Sequence, residues 1–148
     1  MRTVTPAWRE QIKVFEGFRS YAYRCPAGVW TIGYGFTKGV KPRDFMTREE
    51  ADIRLLHELQ RYELGVAQLC PGSGNGLSDG EFDALVDFAY NLGLGNLQAS
   101  TLRRKVNRGA PDEEVVDEFA KWVRAGGKVV SGLVTRRLFD AHRYLAAA

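Results

Sequence analysis

Glu16 is the side chain whose surroundings best suit it to deliver a proton. It closes an amphipathic run and is followed at once by Gly17 and strand-like residues. A carboxylate at a helix C-terminus meets the negative end of the dipole, which favours its protonated form. Aromatic surface from Phe15, Phe18 and Trp30 would disfavour the charge further by desolvation. A carboxylic acid still protonated near neutral pH is what a glycosidic oxygen needs from a general acid. Taken alone, however, Glu16 reads as an exposed helix-end charge. The two cysteines, Cys25 and Cys70, form neither a metal spacing nor a C-x-x-C pair, and read as free thiols. His57 falls in one helical pattern and His142 in another, and both read as surface or packing residues. No metal and no cofactor are therefore expected. Pro71-Gly72-Ser73-Gly74-Asn75-Gly76 has alternating glycines, but no strand precedes it and no Lys-Ser/Thr follows, so it reads as a loop and not as a phosphate cradle.

These residues must be held by elements. Thr5-Pro6 is an N-cap followed by proline at the first helical position, and Trp8, Ile12 and Phe15 continue at helical spacing up to Gly17. Residues 20–24 and 29–33 are rich in aromatic and β-branched side chains and flank the turn Cys25-Pro26-Ala27-Gly28, which predicts a small antiparallel hairpin. Thr47-Arg48-Glu49-Glu50 is a capping box that opens a helix of about twenty residues, enough to join two lobes. Ser78-Asp79-Gly80-Glu81 opens a second helix, stopped by Gly93 and Gly95. A short basic helix from Ser100 to Asn107, a helix from Pro111 to Trp122 broken by Gly126-Gly127, and a last helix from about Ser131 to Tyr144 complete the pattern. The expected fold class is α+β, with a small sheet, a long connecting helix and a helical bundle.

Residues 15–37 read FEGFRSYAYRCPAGVWTIGYGFT, and this segment resembles the signature of the phage lysozymes (endolysins) of glycoside hydrolase family 24. In that family a catalytic Glu is followed after eight residues by Asp or Cys and after five more by Thr; Glu16, Cys25 and Thr31 match both spacings. The resemblance continues through Phe82-Asp83-Ala84-Leu85, Phe88 to Gly93, Ser100-Thr101-Leu102, Trp122 to Lys128, Gly132-Leu133 and Arg136-Arg137, covering roughly residues 12–140 in order. It implies one lysozyme-like domain over 1–148, with a sheet lobe at about 15–46, a connecting helix at about 47–70, and a helical lobe at about 77–148 that includes the N-terminal helix. It also implies hydrolysis of the β-1,4 bond between N-acetylmuramic acid and N-acetylglucosamine in bacterial peptidoglycan, leading to host cell lysis. Glu16 would be the general acid and Thr31 would hold the attacking water. Cys25 stands where many members have Asp. As a thiolate it could stabilise charge at the anomeric carbon, act as a base or attack as a nucleophile.

Phe36 departs from the histidine common at its position. It is expected to pack against the lobe, with a sugar platform as the second reading. Tyr34, Gly33 and Gly35 are expected at the cleft, where glycines let backbone groups approach acetamido groups. Tyr90 and Asn91 are expected to meet the sugar from the other lobe, or, for Asn91, to cap a helix. Arg136 and Arg137 read as a cation near Glu16 or, for at least one of them, as an outward-facing helix charge.

The charge map is uneven: residues 1–60 carry a balance of +3, residues 61–100 one of −4 and residues 101–148 one of +4. Basic ends suit weak, salt-dependent attraction to an anionic envelope surface. No stretch has the length and apolarity of a membrane span, so no transmembrane segment is expected. The opening MRTVTPAWREQIKVFEGF lacks an apolar core, so no signal peptide is expected. A monomer is expected, made in the host cytoplasm and acting in the periplasm or wall after a membrane lesion; a leader on a natural precursor is the alternative. Two other functions compete. A lytic transglycosylase would cut the same bond with one Glu and no water-holding Thr. A small nucleic-acid-binding protein would use Leu102 to Arg108 as a recognition helix, but that basic block is short and acids follow it at 112–118, so no nucleic-acid partner is expected.

Overall fold

The computed structural model describes residues 1–72 and 74–146 of the chain. The elements run α1 (Pro6–Glu16), β1 (Arg19–Arg24), β2 (Trp30–Gly33), α2 (Arg48–Leu69), α3 (Asp79–Leu92), α4 (Leu94–Ala99), α5 (Thr101–Asn107), α6 (Asp112–Phe119), β3 (Arg124–Ala125), β4 (Lys128–Val129) and α7 (Ser131–Leu145). This is an α+β fold with a small antiparallel sheet and a majority of helix, as the composition of the segments implies. Among the described residues no helix is long and apolar enough to cross a membrane.

Contacts divide the chain into two compact units: Pro6–Gln60, and Met1–Thr5 together with the chain from Arg61 onward. The division falls inside α2. It places α1 with the sheet, whereas the sequence analysis set that helix with the later ones. The ties are visible in side chains: the Lys13 ammonium of α1 lies 3.2 Å from the Asp52 carboxylate of α2. The residues before α1 belong to the other unit. There the Thr5 amide and hydroxyl donate to Asp83 at 2.8 and 2.6 Å, and the Val4 amide donates to Glu63 at 3.2 Å.

In the sheet unit, β1 pairs antiparallel with β2 in the register Tyr23 to Thr31 and Arg24 to Trp30, and a bulge intervenes before Arg19 reaches Gly33. The bulge adds residues to β1 only, which bends the strand. On its other edge β1 takes a bridge the sequence did not announce, Tyr21 to Phe45. Ile12, Ile32, Tyr34, Phe36, Ala51 and Leu55 are buried in this unit.

In the helical unit, α3 is buried along most of its length, from Phe82 through Ala89. Its capping box is present: the Glu81 amide donates to Ser78 Oγ at 3.1 Å and the Ser78 amide donates to the Glu81 carboxylate at 2.9 Å. Phe88 meets Phe119 and Trp122 edge-on at 5.9 and 5.2 Å between centroids. Two expectations are corrected here. Gly95 does not stop a helix: Gly93, at φ +100°, ends α3, and the chain restarts as α4 with Gly95 inside it. Gly126-Gly127 is more than a break: both residues have positive φ, 58° and 78°, and they form the two-residue turn of the β3–β4 hairpin. Such a turn needs left-handed backbone at both central positions, which glycine adopts without strain. The helix before it accordingly ends at Phe119 and not at Trp122.

Candidate functional site

The sheet unit holds the Glu, Cys and Thr of the expected catalytic set. Glu16 is the last residue of α1. The Gly17 amide donates to the Lys13 carbonyl at 2.9 Å, and Gly17 takes φ +70°. That left-handed residue ends the helix and turns the chain into β1. The half-buried Glu16 carboxylate faces the turn after β2, since a Cβ built on Gly35 would lie 3.3 Å from its Oε2. Gly35 also has φ +86°, so glycine suits this position both by conformation and by the space the carboxylate takes.

That turn is rigidly made. Ile32 and Phe36 exchange two backbone hydrogen bonds of 2.9 Å around Gly33-Tyr34-Gly35. Tyr34 is 3% exposed, its ring packs 5.6 Å from Phe18, and its hydroxyl donates to Asp52 at 2.7 Å. Burial and the Asp52 carboxylate both push the Tyr34 phenol above its ordinary pKa. Burial also disfavours the charge on Asp52, but the Tyr34 hydroxyl and the Lys13 ammonium outweigh it and hold that carboxyl below the usual range. Burial acts against the Lys13 charge in the same way, and its carboxylate partners Glu10 and Asp52 leave its pKa raised. Tyr34 therefore locks the turn, with its hydroxyl proton given to Asp52. Phe36 is 4% exposed, with the Arg54 guanidinium 4.7 Å over its ring and the Tyr34 ring edge-on at 6.3 Å. It packs, and its faces are not open to a sugar. Asp52 and Lys13 were missed in the sequence, because nothing in their spacing links them to Tyr34.

The hairpin between β1 and β2 carries the other two groups. The Cys25 amide donates to the Val29 carbonyl at 3.0 Å and the Gly28 amide to the Cys25 carbonyl at 2.8 Å, closing the turn. Thr31 is buried, and its hydroxyl donates to the Val29 carbonyl at 2.9 Å. The half-buried Cys25 thiol sits among donors. The Val29 amide lowers its pKa most; partial burial opposes this, and the Ala27 amide and Thr31 hydroxyl add to the lowering. The Thr31 hydroxyl has one proton and two takers, the Val29 carbonyl and the sulfur. When the sulfur is ionised the proton can turn to it; otherwise the oxygen keeps a lone pair for another donor, such as water. Cys70, by contrast, is buried and its thiol is pushed up to about 11, which makes it inert near neutral pH.

The remaining candidates lie in the helical unit. Tyr90 and Asn91 fall in the last turn of α3. The Tyr90 ring meets Tyr62 edge-on at 5.2 Å. Asn91 does not cap the helix, whose cap is Gly93; its side-chain oxygen accepts from Arg137 at 2.7 Å. Neither Arg136 nor Arg137 faces solvent, at 7% and 1% exposure, which corrects the outward reading. Arg136 forks onto Asp87 with contacts of 3.0 and 2.8 Å, and Arg137 pairs with Asp140 at 3.0 Å. His57 and His142 are both exposed, as expected. Among the described residues no group of three or more His, Cys, Asp or Glu side chains could hold a metal ion.

A family model described as "Phage lysozyme" matches residues 13–139, a span that contains Glu16, Cys25, Thr31, Tyr90 and Asn91. The chain belongs to the phage lysozyme family. It is 41% identical over 129 residues to an endolysin of Bacillus phage B103, covering 85% of this chain and 48% of that relative. It is 37% identical over 124 residues to a SAR-endolysin of Bacteriophage PS119, covering 82% of this chain and 71% of that one. The muramidase domain of SpmX from Asticaccaulis excentricus superimposes with a TM-score of 0.88 at 31% identity, covering 99% of both chains. The chain thus has a phage-lysozyme fold and spans about half the length of the Bacillus phage relative.

Proposed function

We propose that this phage lysozyme family member is a muramidase that hydrolyses the β-1,4 bond between N-acetylmuramic acid and N-acetylglucosamine in peptidoglycan. It acts as one lysozyme-like domain over residues 1–148 and as a monomer. The observation that carries the reading is the build of the sheet unit. A helix-end carboxylate lies against a glycine turn, and the neighbouring hairpin sets a thiol of lowered pKa beside a threonine hydroxyl. In this reading Glu16 gives its proton to the leaving glycosidic oxygen. Thr31 holds a water by accepting one of its hydrogens, and the Cys25 thiolate takes the proton that the water sheds as its oxygen bonds to the anomeric carbon. Proton exchange with solvent then returns Cys25 to thiolate and Glu16 to the acid. Water arriving opposite the leaving group gives inversion, so NMR of fresh product should show the α-anomer. The Gly33 to Gly35 backbone is the proposed sugar-facing surface beside Glu16. Tyr90 and Asn91 enter as sugar contacts on the family resemblance.

Glu16→Gln tests the acid. It should remove nearly all turnover of purified peptidoglycan while thermal unfolding stays unchanged. Retention of more than about a tenth of the rate, a loss under ~1.4 kcal/mol, would remove Glu16 from that role. Endolysin relatives support action at a bacterial wall. We place synthesis in the host cytoplasm and action in the periplasm or wall after membrane permeabilisation, so cells expressing the chain should lyse only when a pore-forming agent is added. The α5 arginines speak against nucleic acid: Arg103 and Arg104 donate to the carbonyls of Leu69, Gln98 and Ala99, and Arg108 pairs with Glu114.

A further inference from the structure

In the sheet unit, two large rings that no step above uses stand in water. Tyr21 is 64% and Phe45 56% exposed. Their centroids are 5.0 Å apart and their planes tilted by 57°. The pair is a built feature, because the backbone brackets it. Tyr21 bridges Phe45, the Ala22 amide donates to the Asp44 carbonyl at 2.9 Å, and the Met46 amide donates to the Ser20 carbonyl at 2.8 Å. Cations precede Phe45 in the chain. The turn that delivers Phe45 presents Lys41 and Arg43, both exposed. Its one acid, Asp44, has its carboxylate engaged by the Lys41 amide at 2.8 Å. Arg43 is, among the described residues, the non-glycine residue with positive φ, at 72°. Left-handed backbone disfavours a side chain of this kind. The Arg43 side chain is exposed.

We propose that the Tyr21–Phe45 pair with Arg43 and Lys41 is a second contact for the glycan polymer itself, a surface hold on peptidoglycan apart from the hydrolytic site. The inference rests on the muramidase reading. Aromatic faces take the C–H faces of sugar rings, and the flanking cations meet the carboxylates that such glycan carries on its peptides. Charge complementarity therefore selects this polymer over a neutral one. A bilayer would require a broader apolar face to sink below the headgroups. Here the exposed apolar surface is one pair of rings, Tyr21 and Phe45.

The test uses the full chain. Co-sedimentation with insoluble peptidoglycan is measured in the Glu16→Gln background, so the wall is not consumed. Tyr21→Ser with Phe45→Ser should weaken sedimentation about tenfold. Arg43→Gly should weaken it about threefold, more at low salt than at high. Glycine accepts the left-handed backbone, so Arg43→Gly should leave the melting temperature equal or higher, and its loss of binding cannot be attributed to misfolding. In the otherwise native chain, the same substitutions should leave turnover of a soluble muramyl tetrasaccharide unchanged while slowing turnover of whole wall. Unchanged sedimentation for both variants overturns the proposal. So does an equal fall in tetrasaccharide and wall turnover, or a loss confined to vesicles of phosphatidylglycerol. Failure of the muramidase reading looks different: the native chain then turns over neither substrate, and sedimentation still decides the patch.

Discussion

Cys25 and Thr31 share one hydroxyl proton, and that coupling is measurable. The Val29 amide, with Ala27 and Thr31 behind it, holds the Cys25 thiol below its ordinary value. Alkylation by iodoacetamide should therefore reach half its limiting rate at a lower pH than that of an unstructured cysteine peptide. Thr31→Val removes one of the donors and should move that midpoint upward, while Cys70 stays unreactive at neutral pH. Gly35 tests the other half of the site. An alanine there must adopt φ +86° and set a methyl 3.3 Å from the Glu16 carboxylate. Gly35→Ala should destabilise the fold by about 1–2 kcal/mol and lower kcat further than that loss explains, because the acid is displaced.

At the scale of elements, α3 and α7 meet through Gly80. A Cβ there would collide with the backbone carbonyl oxygens of Arg143 and Ala146. Gly80→Ala should therefore push the helices apart at a cost of about 1–3 kcal/mol, read as a drop in the urea midpoint. The same pair of helices buries an ion network. Asp140 is fully buried, with the Asp87 carboxylate adjacent, and both burial and that like charge raise its pKa well above the aspartate range, against the pull of Arg137 and Arg136. The folded chain thus holds this proton to a higher pH than the unfolded chain. Its contribution is whole below ~3.9 and is lost as pH rises through the raised folded value. Asp140→Asn keeps a neutral group at every pH. Its stability relative to the parent should improve as pH rises from about 4 to about 7, measured by urea unfolding across that range. An advantage that shrinks with rising pH would contradict the shift.

At the scale of the whole molecule, the product distinguishes hydrolysis from its rival on the same bond. Mass spectrometry of muropeptides released from purified peptidoglycan should show reducing ends and no 1,6-anhydro sugars. A charge balance that is positive at both ends of the chain also predicts wall association that weakens as salt rises, since attraction between exposed charges is screened within ~8 Å at physiological ionic strength.

Local signals in the sequence were enough for much of this. The capping box at Ser78, the hairpin turn at Cys25 to Gly28, and the glycine after Glu16 are statements about a few adjacent residues, and backbone sterics act at that range. The family could be read for the same reason, since Glu16, Cys25 and Thr31 keep their spacing within one short segment. Short-range information failed where partners lie far apart along the chain. Asp52 takes the Tyr34 hydroxyl from eighteen residues away, and Asp87 takes Arg136 from forty-nine. An aromatic or an arginine in a motif looks available for substrate until a buried partner is found for it. The chain by itself determined most of the longer helices, the hairpin turn at Cys25 to Gly28 and the carboxylate that ends the first helix, because capping, periodicity and glycine conformation are local. Only the tertiary structure decided that Tyr34 and Phe36 are committed to packing, that Cys25 lies among donors, and that Tyr21 and Phe45 are left in water, because burial and hydrogen bonding are settled by which distant residues arrive alongside.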